Sequence, residues 1–239
     1  MGRLYNAGGI RRFLAFALIL SLSFTVTACG GNKSSSSNSD SNNKSNSSNS
    51  KESQAQVKAD GNVLVAYFTA AENSGVDAVA SASYSEVNGE AVGRVRALAD
   101  MIQAKTGGEL FSIQTSVVYP ADGGELIDYA QKEQDDNARP ELTSHIENLD
   151  NYNTIFIGFP TWWYDMPQVL YSFFDEYDFS GKTIIPFNTH NGSRFSGTID
   201  TIKDLEPDAD VITDGLTISE HDIPEAEGDV NSWLEGLGY

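Results

Sequence analysis

Three segments hold residue types that could bind and orient a ligand. Pro160-Thr161-Trp162-Trp163-Tyr164 sets three aromatic rings in a row, just before Asp165-Met166-Pro167. A flat ring at the edge of a site stacks on a planar ligand such as a flavin or a base. One indole is expected to stack and the other to pack inward. Thr189-His190-Asn191-Gly192-Ser193-Arg194 offers small polar side chains and backbone amides to the polar edge of such a ring. A single histidine in this setting is more often structural than catalytic. Thr69-Ala70-Ala71, together with Gly93-Arg94-Val95 at a helix start, would bring a hydroxyl and free amides to one point. Amides at a helix N-terminus attract anions.

Other chemistries lack their residues. Cys29 is the only cysteine, so there is no intramolecular disulfide, no Cys-x-x-Cys redox pair and no multi-cysteine metal site. His145, His190 and His221 lie far apart and show no metal-ligand spacing. No Gly-x-Ser-x-Gly elbow or Ser-His-acid order supports a hydrolase. No Gly-x-Gly-x-x-Gly follows the first apolar run, which argues against a dinucleotide held in the Rossmann manner.

The elements that must position these segments follow from apolar patterning. Asn62–Phe68, Asn153–Phe159 and Lys182–Phe187 are short, nearly continuous apolar runs, which suit strands buried on both faces. Glu109–Thr115 and Val211–Ile218 are weaker strand candidates. Val92, Val95, Leu98, Ala99 and Ile102 recur at helical spacing, and Gly107-Gly108 then stops that helix. Further helices are predicted around Ile127–Ala130, Val169–Phe174, Phe195–Leu205 and Val230–Leu237. Strands that alternate with helices predict an α/β domain with a parallel sheet covered on both faces. Ligands of such sheets bind beyond the carboxyl ends of the strands, where the strand order reverses. All three polar segments follow predicted strands. The 20 residues from Glu72 to Ala91 far exceed an ordinary connection of about 4–6 residues.

The formal charge is −19. Residues 1–28 hold three arginines and no acid; without them 12 basic and 34 acidic residues remain, a charge of −22. So acidic a surface repels nucleic acid and anionic headgroups, and suits a basic protein partner or none. Arg3, Arg11 and Arg12 precede about 14 mostly apolar residues, Phe13–Val26, which is too short for the ~20 of a membrane-spanning helix and suits a signal peptide. Val26-Thr27-Ala28-Cys29-Gly30 resembles a bacterial lipobox. The resemblance implies that Cys29 is lipidated and becomes the mature N-terminus, on the outer face of the cytoplasmic membrane. The expected organisation is a signal peptide over 1–28, a lipid-anchored Ser/Asn-rich tether over 29–60 that cannot bury a core, and one folded domain over 61–239.

The folded part resembles the flavodoxin-like family. Tyr67-Phe68-Thr69, Pro160-Thr161-Trp162-Trp163, Met166-Pro167, Tyr177–Phe187 and Thr189-His190-Asn191-Gly192-Ser193 carry the likeness, which covers about residues 62–239. It implies a doubly wound, five-stranded parallel sheet of order 2-1-3-4-5 that holds FMN at its switch point. In that pattern Thr69, Ala70, Ala71 and the helix start at Gly93 cradle the phosphate. Pro160, Thr161, Trp162, Trp163 and Tyr164 line the flavin, and Thr189, His190, Gly192 and Ser193 lie along its other side. Carboxylates such as Asp165 would lower the flavin's potential and steer a basic redox partner. Membrane contact would run only through the lipid. One departure stands out: Gly93-Arg94-Val95 replaces the family's Gly-Asn-Thr. Val95 removes a hydroxyl, and Arg94 either replaces it at the phosphate or points to solvent. The expected role is an FMN-binding electron carrier or flavin-dependent reductase. The alternative is a module of the same fold that has lost FMN and uses the cleft for another ligand or a protein.

Overall fold

A computed structural model describes residues 62–73, 84–87 and 90–239. The expected signal peptide, lipobox and tether, and part of the Glu72–Ala91 segment, lie outside the described residues.

The first strand, β1 (Asn62–Tyr67), is buried at every position but Asn62. Its alternation sends Leu64 and Ala66, with Phe68 just beyond, into one core, and Val63, Val65 and Tyr67 into the other. A strand with water on neither face has no polar side, which is why the run reads as continuously apolar. It pairs in parallel with β4 (Glu109–Ser112) on one edge and β5 (Tyr152–Pro160) on the other. Beyond β5 lies β6 (Thr183–His190). The outer position is shared by β7 (Asp210–Val211), which pairs with the start of β6, and β8 (Leu216–Ser219), which pairs with its end. Counted by position along the sheet, the order is 2-1-3-4-5, as expected.

The sequence predicts one strand over Val211–Ile218, and the structure breaks it. The break faces Ile185 and Pro186, between the pairs Ile184↔Val211 and Phe187↔Leu216. Proline has no N–H to give a ladder. Within the central pair, Gly158 lets the Phe187 ring lie across β5, since a Cβ there would sit 2.1 Å from that ring.

Two cores flank the sheet. On one face, α2 (Arg94–Thr106) contributes Val95, Leu98 and Ile102, and α6 (Glu227–Leu237) contributes Val230 and Leu234. On the other, α3 (Gly123–Asp135), α4 (Gln168–Glu176) and α5 (Thr198–Leu205) contribute Leu126, Val169, Phe173 and Ile202. Each large apolar side chain so buried stabilises the fold by roughly 1.5–3 kcal/mol before entropy is counted.

Helix ends follow local chemistry. Asp122 caps α3 by accepting from the amides of Gly124 and Glu125. Gly107 ends α2 in the left-handed conformation, φ 71°. Two boundaries differ from expectation. Val92 belongs not to α2 but to β3 (Glu90–Gly93), which forms an antiparallel pair with β2 (Tyr84–Val87). And α5 starts at Thr198 rather than Phe195, because Arg194 and Ser196 take positive φ values that no helix accepts. A single turn, α1 (Ala70–Asn73), follows β1. The carboxyl ends of β1, β5 and β6 therefore deliver Thr69, Thr161 and Asn191 to one edge of the sheet.

Candidate functional site

The segment after β5 is a tight hairpin. The amide of Trp162 donates to the carbonyl of Asp165, and the amide of Asp165 donates back, both at 2.9 Å. The two central residues, Trp163 and Tyr164, have φ values of 49° and 64°. Two positive φ values in succession define a turn that normally selects Asn, Asp or Gly. Bulky aromatics there cost conformational energy, and such strain concentrates at functional sites. The turn throws both rings outward: Trp163 is 40% exposed and Tyr164 73%.

Other bonds fix the turn. The Trp163 indole donates to the carbonyl of Ile127 on α3 at 2.8 Å. Trp162 turns the other way, meeting Phe68 and Tyr119 edge to face at centroid distances of 5.7 and 5.6 Å. One indole thus packs against the core and the other faces out. Asp165 departs from expectation. Its carboxylate accepts from the Met166 amide and the Tyr171 hydroxyl, both at 2.8 Å, and it does not line the cleft described below. It ties the end of the turn to α4 through Tyr171.

After β6, the chain runs through a second constrained loop. His190 Nδ1 accepts from the Gly192 amide at 2.9 Å, and burial together with nearby Arg194 lowers the histidine pKa. The imidazole is thereby held neutral as a loop tie. The Thr161 hydroxyl donates to the Arg194 carbonyl at 2.8 Å, and the Asn188 amide donates to both Thr161 Oγ1 and the Arg194 carbonyl. These bonds join the two loops and commit the Thr161 hydroxyl within the protein.

Between them lies a cleft of about 460 Å³, within the range of small-molecule sites. Pro160, Thr161, Trp162, Trp163 and Tyr164 form one side, and Thr189, His190, Asn191, Gly192 and Ser193 another. All nine residues predicted from these two segments therefore meet at one place. Helix α3 adds Leu126, Ile127 and Ala130, and the end of β8 adds Glu220. The sequence did not point to these four. Ile127 and Ala130 lie on a visible helical stripe, but nothing in the pattern says that α3 reaches over the switch point.

The six residues predicted for the anion cradle behave differently. Thr69, Ala70 and Val95 are almost fully buried, Gly93 is buried and Ala71 is partly so; none of them lines the cleft. Thr69 and Gly93 are in close contact, for a Cβ at Gly93 would sit 2.3 Å from Thr69 Oγ1. Only glycine allows β1 and the start of α2 to approach so nearly. Val95 faces the core shared with Tyr67. Arg94 does not point to solvent: its side chain is 10% exposed, and Nη1 bonds Glu220 Oε2 at 2.7 Å. Through Glu220 this helix start reaches the cleft wall. Among the described residues no group of three or more His, Cys, Asp or Glu is placed to hold a metal ion, and no helix is long and apolar enough to cross a membrane.

The sequence model described as Flavodoxin matches residues 83–237. The chain belongs to the flavodoxin family. Solved structures agree with this membership. A candidate flavoprotein from Bacteroides eggerthii is 25% identical, with a TM-score of 0.56 over 74% of this chain and 98% of that one. A candidate flavoprotein from Bacteroides uniformis is 27% identical, with a TM-score of 0.56 over 73% and 98%. A Lactobacillus acidophilus flavoprotein solved in complex with FMN shares the fold at 17% identity, with a TM-score of 0.51 over 73% and 99%. No protein of curated function matches the chain. The flavodoxin sheet is preserved here with a split fifth position and a β2–β3 hairpin placed directly before α2.

Proposed function

We propose that the domain binds FMN in the cleft between the 162–165 turn and the 190–193 loop, and that it works in electron transfer outside the cytoplasmic membrane. The observation that carries this reading is the cleft itself. It lies at the carboxyl ends of β5 and β6, with Trp163 and Tyr164 held outward on a strained turn. Exposing two large rings against their backbone preference has a reason if they meet a planar ligand.

The residues present fit the group. Pro160, Leu126 and Ala130 give apolar surface, Trp163 and Tyr164 give ring faces, and the His190–Ser193 loop gives polar backbone. Arg94 is the cation at the helix start, with its Nε buried and without a partner among the described residues. Bound FMN would supply the transfer of electrons; the protein holds and orients it and sets its surroundings. Glu220, rather than Asp165, is the carboxylate on the cleft wall, and its charge disfavours added negative charge on the ligand. The acidic surface steers a basic partner, a carrier or the substrate of a reductase. The lipobox-like Val26–Cys29 string supports attachment through a lipid on Cys29.

One observation favours a second reading, a module that has exchanged FMN for another ligand. Thr69, Gly93 and Val95 are packed against one another or the core, and Arg94 is engaged by Glu220. Purification of the domain and titration with FMN separates the two. A yellow protein that binds one equivalent of FMN is expected. A folded, colourless protein that takes up no FMN would leave the second reading standing.

A further inference from the structure

The Arg94–Glu220 pair joins the two halves of the proposed site. Both side chains are largely buried, at 10% and 15% exposure, and the contact is short at 2.7 Å. Arg94 is the first residue of a 13-residue helix whose N-cap, Gly93, offers no side-chain acceptor, and the first turn contains no acidic residue. This helix start thus carries the partial positive charge of its amides and a guanidinium together. The pair satisfies the guanidinium only in part, since Nε is buried and unbonded among the described residues. A buried charged donor left without an acceptor is costly. Glu220, for its part, lines the cleft and hangs from the end of β8 beside His190, whose carbonyl accepts from the Glu220 amide at 2.8 Å.

Resting on the FMN reading, we propose that Glu220 is an internal counter-anion that holds Arg94 until the phosphate of FMN replaces it, so that this pair sets the domain's preference for FMN over riboflavin. A phosphate presents several acceptor oxygens to a planar guanidinium, where Glu220 now engages a single nitrogen. The displaced carboxylate has a second partner at hand: Glu220 Oε1 lies 3.6 Å from His221 Nε2, on a side chain 76% exposed. The chain's departure from Gly-Asn-Thr is then a substitution of one phosphate ligand for another, with a built-in competitor.

The test is titration of the protein with FMN and with riboflavin, on the wild type, Glu220→Gln and the charge-neutral double variant R94Q/E220Q. Thermal melts establish that each is folded. Removing the competing carboxylate is expected to raise the ratio of FMN to riboflavin affinity by about tenfold, the effect of roughly 1.4 kcal/mol. In the double variant, which leaves no unpaired buried charge, FMN is expected to bind no better than riboflavin. Should Glu220→Gln fail to fold, the double variant alone decides. A wild-type ratio of FMN to riboflavin affinity in either folded variant overturns the role of the pair. If both flavins bind the wild type equally, the phosphate is not read here and the inference falls while the flavin site stands. If neither flavin binds any folded variant, the FMN reading falls and takes the inference with it.

Discussion

The Trp163 indole donates its Nε1 proton to the carbonyl of Ile127 at 2.8 Å, so the turn after β5 and the helix α3 form one continuous wall of the cleft. Trp162, its neighbour, faces the opposite way and meets Phe68 and Tyr119 edge to face. Two adjacent tryptophans therefore have separable roles. Trp163→Ala is expected to weaken FMN by about 1–3 kcal/mol, by analogy with base–aromatic stacking, and to restore the emission of bound flavin that the indole quenches. Trp162→Ala is expected to lower stability by about 3 kcal/mol, the low end for buried aromatics because the ring is only partly covered. Denaturant unfolding and flavin fluorescence on both variants check this. The assignment is wrong if Trp162→Ala alters emission and Trp163→Ala does not.

Tyr164 sits at φ 64° with its ring mostly in solvent. Tyr164→Gly removes the steric penalty of the left-handed conformation. The domain without flavin should gain about 1 kcal/mol of stability, while affinity for FMN falls because a ring face is lost. A loss of stability on this substitution would mean that the turn is not strained.

Buried carboxyls make stability depend on pH in a stated direction. Glu133 is buried against the Tyr119 hydroxyl, and desolvation raises its pKa to about 7; desolvation likewise raises Glu206 to about 7. A carboxyl whose folded pKa exceeds its unfolded value of about 4.5 favours the fold while protonated. That contribution is fully present below the unfolded value and is lost as pH rises through about 7. The melting temperature should therefore rise on acidification from pH 8 to pH 5. Glu133→Gln should raise the melting temperature at pH 8 and flatten part of this slope. A domain that melts lower at pH 5 than at pH 8 would contradict the assignment.

How much of this was readable in the residues alone depends on what kind of signal carried it. The strands β1, β5 and β6 are buried on both faces, so their apolar runs survive in one dimension, and the loops that follow them are placed by the fold's own rule. Helix α3 is signalled only weakly, by Ile127, Tyr129 and Ala130, and its position over the switch point arises from packing and leaves no mark in that spacing. The β2–β3 hairpin leaves no strand signal because it lies within a polar stretch that reads as loop. The break between β7 and β8 depends on Pro186 of a neighbouring strand. Nothing in the sequence singles out Glu220 among 34 acidic residues; its contact with Arg94 and its place on the cleft wall distinguish it. Asp165 reads as a tuning charge because it follows the aromatic run, and only the fold brings the Tyr171 hydroxyl of α4 to its carboxylate.

The proposed attachment to the membrane rests on the Val26–Cys29 string and the short apolar run before it. In the cell of origin, Cys29→Ala should release the protein from the membrane fraction or leave it unprocessed. A Cys29→Ala protein of mature size that still fractionates with membranes would rule out the lipid anchor.

The proposed place of FMN is the cleft of about 460 Å³ between the 162–165 turn and the 190–193 loop. A crystal structure of the domain grown with FMN tests it most directly. The flavin ring is expected against Trp163 and Tyr164, its polar edge toward the His190–Ser193 backbone and its phosphate on Arg94. Flavin density elsewhere on the domain, or a cleft holding no flavin in crystals grown with excess FMN, would contradict it.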